Sequence, residues 1–99
     1  MFAHLGSYIT DHAVQECLDL AAAAFHRYRL DVWFPPEEGD FVIVGGDDRL
    51  AVQVSCMAMQ EGTWVTVVGY GSDSSAAEYG RNAIRAHMTN PASPPIPPP

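Results

Sequence analysis

Two short turns, set one strand apart, constrain this chain more than any other feature. Gly45-Gly46-Asp47-Asp48 and Gln60-Glu61-Gly62 bracket the run Arg49–Met59. Glycine permits positive φ and aspartate satisfies nearby backbone amides, so both segments read as tight reversals. Asp40–Val44 precedes the first turn and Thr63–Val68 follows the second, and all three runs carry β-branched residues. Strands joined this closely pair antiparallel, because a parallel pair needs a crossover of a dozen residues or more. A three-stranded meander is therefore expected. Asp31-Val32-Trp33-Phe34 is a possible fourth, edge strand, stopped by Pro35-Pro36 because proline gives a ladder no donor.

Helical patterns flank the meander. Thr10 or Asp11 is expected to cap a helix running to about Arg29, after a short lead-in of residues 1–10. Its apolar positions Val14, Cys17, Leu18, Ala21, Phe25 and Tyr28 share one arc at about 100° per residue. His12, Glu16, Asp19 and His26 lie opposite. Ser72 or Asp73 is expected to cap a second helix ending near Met88, with Ala77, Gly80, Ile84 and Met88 on one stripe. Ser75, Glu78, Asn82 and Arg85 face away from that stripe. Glycine inside a helix costs about 1 kcal/mol relative to alanine, so Gly80 on the small-residue stripe implies a close backbone approach to the sheet or the first helix. Each helix has one stripe to bury. The expected fold is α+β, a two-layer α-β-β-β-α arrangement with both helices on one face of an antiparallel three- or four-stranded meander. Residues 1–89 make one domain, and the proline-rich residues 90–99 a disordered or polyproline-II tail.

Charge narrows the partners. The formal net charge is −7, and all five basic residues are arginine. Affinity for nucleic acid comes mostly from cations that neutralise phosphates, so DNA and RNA are not expected. Anionic lipid would repel the chain in the same way. No run approaches the roughly 18 apolar residues of a membrane span. The N-terminus has no basic run, and Asp11, Glu16 and Asp19 interrupt its apolar stretch, so a cytoplasmic protein is expected. Cys17 and Cys56 both fall in apolar patterns and are expected as reduced core thiols.

A two-layer domain leaves one sheet face bare. Side chains alternate along a strand, and Val52, Val54, Cys56, Val65 and Val67 make the better core set. The other set is Gln53, Ser55, Met57, Met59, Trp64, Thr66, Val68 and Tyr70. Such a patch marks an interface, unless the helices divide between the two faces, the lead-in or Trp33-Phe34 covers it, or it is ordinary surface. A small non-catalytic module that self-associates through this face is expected, most simply as a homodimer, with a different protein partner as the other occupant.

An alternative site is the strand-to-helix loop. Gly69, Gly71, Ser72 and Ser74 fall in Gly-x-Gly-x-x-Ser, where backbone amides and a helix dipole could cradle an anion or a small molecule. The stretch falls short of the dinucleotide fingerprint, lacks a lysine, and carries Asp73, whose carboxylate competes for the same amides. The His12, Glu16, Asp19 and His26 stripe places His26 about 21 Å along the axis from His12, out of reach of one metal ion. A nucleophile reading would pair Cys56 with a histidine such as His87, but a mid-strand thiol in an apolar set has nothing to lower its pKa. No cofactor site, metal site or catalytic residue is legible. The repeated P-x-x-P spacing of the tail suits an aromatic groove, or else a solubilising extension. Acidic pI, small size and helix–meander–helix order resemble small secretion-chaperone-like dimers, a likeness of fold that carries no function.

Overall fold

The computed structural model describes residues 1–99. In chain order its elements are β1 (Phe2–Thr10), α1 (Val14–Arg27), β2 (Asp31–Phe34), β3 (Val42–Gly46), β4 (Leu50–Met59), β5 (Gly62–Gly71) and α2 (Ser74–Thr89). The strands form one antiparallel sheet in the order β1-β5-β4-β3-β2. The meander occupies its centre and β2 one edge. The expected count of three or four strands is corrected to five. Residues 1–10 are not a lead-in: all nine residues of β1 pair with β5. Apolar residues occur in both alternation sets of β1, with Tyr8 in one and Leu5 and Ile9 in the other, so alternation alone does not mark it as a strand. The bare edge of β5, with unpaired N–H and C=O groups, supplies the reason to pair.

β1 and β2 lie at opposite edges, and α1 connects them. Four strand spacings of about 4.8 Å make roughly 19 Å. A helix of 14 residues at 1.5 Å per residue covers about 21 Å, so α1 is long enough to carry the chain across the sheet. It packs on β2, β3, β4 and β5, while α2 packs on β1, β5 and β4. Cys56 of β4 is bonded to Cys17 of α1. Two positions along on either side of Val54, Cys56 and Val52 belong to the same alternation set, and Val52 lies under Gly80 of α2. The core follows this set: Leu50, Val52, Val54, Cys56, Val65 and Val67 are buried together with Leu18, Phe25, Ile84 and Met88 of the helices.

The helix ends explain the local geometry. α1 starts later than Thr10 or Asp11 would have it: Ala13 holds the N-cap position, and Glu16 reaches back to accept from the Ala13 N–H at 3.3 Å. At its other end Arg29 adopts φ 58°, and the Leu30 N–H donates to the Phe25 carbonyl at 2.9 Å. That six-to-one bond closes the helix in a Schellman-type turn and buries Leu30. Asp73 caps α2 by accepting from the Ala76 N–H at 2.8 Å.

The glycines of the first turn are corrected too. Gly45 and Gly46 belong to β3, and Asp47 makes the turn, accepting from the amides of Arg49 at 2.7 Å and Leu50 at 3.0 Å. A Cβ on Gly45 would come within 2.8 Å of the Phe25 ring, and one on Gly46 within 2.8 Å of Trp33 Cζ2. Both glycines leave bare backbone for an aromatic ring to lie against. The second turn is as expected, with Met59 opposite Gly62 at φ +142°.

The cysteines are a correction of another kind. Cys17 and Cys56 are not free thiols but a disulfide between α1 and β4, with Cα atoms 6.3 Å apart. Disulfides persist in oxidising compartments and are rare in the cytosol, which sets this bond against the cytoplasmic expectation. No helix is long and apolar enough to cross a membrane.

Candidate functional site

The side of the sheet away from the helices is built from cross-strand rows. Pairing register places Leu5, Val68, Gln53, Val44 and Phe34 in line across all five strands. Ser7, Thr66, Ser55 and Val42 form the next row, and Ile9, Trp64 and Met57 the one beyond it. A largely apolar row, a row rich in hydroxyls and a second apolar row therefore run side by side. Directly opposed side chains in such rows lie about 4.5–5.5 Å apart at Cβ, so each row is a continuous surface.

All eight residues expected on this face are there. Gln53, Ser55, Thr66, Val68 and Tyr70 are half-buried by their neighbours, and Met57, Met59 and Trp64 are exposed. The structure adds five aromatic or aliphatic residues to those eight, four of them from outside the meander. Leu5 and Ile9 come from β1, Val44 from β3, and Trp33 and Phe34 from β2. Leu5 is 62% exposed, Ile9 59% and Phe34 70%, whereas a residue roofed by its own chain would be near zero. The first ten residues and Trp33-Phe34 thus extend the sheet and do not roof it. The signal for Leu5 and Ile9 was present in the sequence as the alternation Leu5-Ser7-Ile9. Recognising it required β5 to have an edge available.

The electrostatics of the face are defined by what it lacks. The chain has 17 charged residues. None occupies the positions of β1, β5, β4 and β3 that point to this side, from Ala3, Leu5, Ser7 and Ile9 to Val42 and Val44. A monomer's solvated sheet face ordinarily carries charge, and interface cores are depleted of it.

The strand-to-helix loop has a different geometry. Gly69 and Gly71 are buried beneath α2: a Cβ on Gly69 would strike the Ala77 carbonyl, and one on Gly71 would lie 2.9 Å from the Ala77 nitrogen. Their lack of a side chain lets helix and sheet approach. Asp73 occupies the Ala76 amide, and Ser74 Oγ lies 3.0 Å from His4 Nε2. Ser72 is exposed beside them.

The remaining polar groups pair at most, and no three His, Cys, Asp or Glu gather where they could hold a metal ion. His12 and Glu16 form an exposed pair at 3.6 Å, while Asp19 bonds to Gln15 at 3.0 Å. His87 is nearly buried in the last turns of α2, and desolvation holds its pKa below the ordinary histidine value, with Arg27 pushing the same way. It has no thiol to activate, since Cys56 is bonded to Cys17. Burial raises the pKa of Tyr8, over whose ring the Arg85 guanidinium stacks at 5.4 Å. No protein-family model, curated protein or solved structure matches the chain.

Proposed function

We propose that this protein is a non-catalytic association module that pairs with a second copy of itself through the open face of its sheet. The observation that carries the reading is the composition of that face: two apolar rows with a row rich in hydroxyls between them, and no charge on four of its five strands, in a chain of net charge −7. Two acidic copies repel each other. A neutral contact surface lets the pair form with their charges held to the periphery, where salt screens them. A two-fold axis through the sheet puts the same patch on both sides of the contact, the self-complementary arrangement of most small oligomers. Met57, Met59 and Trp64 fit the centre of such a contact, since methionine and aromatic residues are enriched there. Gln53, Ser55 and Thr66 supply hydrogen bonds that fix its register.

Trp64→Glu tests the proposal. Trp64 is 46% exposed, so the change leaves the core untouched. In a pair related by a two-fold axis it buries two like charges, which costs several kcal/mol and weakens the dimer by roughly 10²–10³-fold. Sedimentation equilibrium should show a dimer for the unaltered chain and a folded monomer for the variant. An unaltered chain that stays monomeric at high concentration refutes the reading.

A further inference from the structure

One cluster of side chains that the sheet face does not use lies where α1 ends against α2. Tyr28 caps the C-terminus of α1, held there by the turn at Arg29 and Leu30. Tyr79 lies in the second turn of α2, beside Ser75, Glu78 and Asn82. The two rings meet edge to face, with centroids 6.2 Å apart and an interplanar angle of 81°. The chain's own tail passes over them. Its Ile96 N–H donates to Tyr28 Oη at 2.8 Å, and the Tyr79 hydroxyl donates to the Ile96 carbonyl at 3.3 Å. Upstream, a turn at residues 90–93 reverses the chain. Ser93 bonds to the Asn90 carbonyl through both its N–H and its hydroxyl, and Arg27 Nη2 donates to the Ser93 carbonyl at 3.4 Å. Downstream, Pro98 helps line a cleft with Tyr28, Leu30, Leu50 and Tyr79.

Ile96 is the only residue from 94 to 99 with a backbone N–H, because the other five are prolines. Both of its backbone polar groups are engaged, and by the two tyrosines. Proline fixes φ, and a residue preceding proline is held in the extended region, so this segment is preorganised as polyproline II with its carbonyls free to accept. An aromatic cleft with hydroxyl donors is the chemistry that recognises such a segment. We infer that the Tyr28–Tyr79 cleft is a recognition site for proline-rich peptide, kept filled by residues 93–99 of the same chain. Its ligand class is a proline-rich segment carrying one apolar residue that offers an N–H between prolines. A short tether holds the resident segment at an effective concentration of about millimolar. A peptide of the same chemistry therefore binds the unaltered chain weakly and gains the cleft when the tail lets go.

Two measurements on the 99-residue chain test this. Hydrogen exchange should show the Ile96 amide at least about tenfold slower than in the free peptide Ser-Pro-Pro-Ile-Pro-Pro-Pro. Tyr28→Phe, which removes only the acceptor, should return it to the free rate. In the second, the same peptide is labelled and titrated into Ile96→Pro, whose tail has lost its donor. It should bind at least about tenfold more tightly than to the unaltered chain, and Tyr79→Phe added to Ile96→Pro should remove the gain. Ile96 exchanging at the free rate in the unaltered chain overturns the inference. So does equal or absent peptide binding to the unaltered and Ile96→Pro chains, or a gain that survives Tyr79→Phe.

Discussion

Gly69→Ala is the most demanding test of how α2 seats on the sheet. A methyl group built on Gly69 would strike the Ala77 carbonyl oxygen and lie 2.8 Å from the Arg81 nitrogen and 3.1 Å from the Ala77 carbonyl carbon. All of these are main-chain atoms of one helix, so no rotamer change relieves the overlap. α2 has to lift by something near 1 Å. A gap of that size forfeits a quarter to a half of each dispersion contact along the interface, and α2 buries Ala76, Ala77, Ala83, Ile84 and Met88 there. Overpacking costs about 1–3 kcal/mol in typical cores, and an unyielding backbone puts this site at the upper end, about 3 kcal/mol. For a domain of this size that lowers Tm by about 12–24 °C. Gly6→Ala is the control, because its methyl group would meet only the flexible Arg81 Cδ, at 3.4 Å. It should fall within about 0.5 kcal/mol of the parent, or gain slightly from the lowered entropy of the unfolded chain. Urea unfolding followed by circular dichroism gives both values, with an unchanged slope showing that stability alone has moved. If Gly69→Ala proves no more harmful than Gly6→Ala, the close seating of α2 on β5 is wrong. The assignment of the loop glycines to packing would fall with it.

The other predictions concern the disulfide and His87. Replacing both Cys17 and Cys56 with alanine should cost up to about 4 kcal/mol, from the chain entropy of a crosslink spanning 39 residues, as read from the urea midpoint. The unaltered chain should show no titratable thiol until it is both unfolded and reduced. His87 is held neutral in the fold, so the unfolded chain binds the extra proton first as pH falls. Stability should be level above the unfolded histidine pKa of about 6.5 and fall below it, and His87→Gln should flatten that part of the profile measured by thermal unfolding.

Local signals in the sequence went far. The meander followed from its turns, both helices from apolar stripes, and the Asp73 cap from a carboxylate placed just before a helical pattern. The face of the sheet was legible as well, because a strand's alternation is a property of the strand itself: Trp64, Thr66 and Val68 share a side wherever the helices settle. The features that escaped are those whose cause lies in another part of the chain. Leu5 and Ile9 sit in a segment of ambiguous alternation that became a strand only because β5 had an edge to offer. Gly45 and Gly46 look like turn glycines, and it takes Phe25 and Trp33 lying on either side of them to reveal a packing role. Tyr79 was one aromatic beside a polar stripe.

What this sequence determined unaided is therefore the meander, the two helices and the side each residue takes within those elements, since periodicity and turn chemistry act over a few residues. Tertiary structure alone decided which elements became neighbours. It brought Cys17 within bonding distance of Cys56, extended the open face to five strands, and laid Ile96 between two tyrosines. Those outcomes depend on burying surface and satisfying backbone groups between segments far apart along the chain, and no local pattern records where such a segment will find its counterpart.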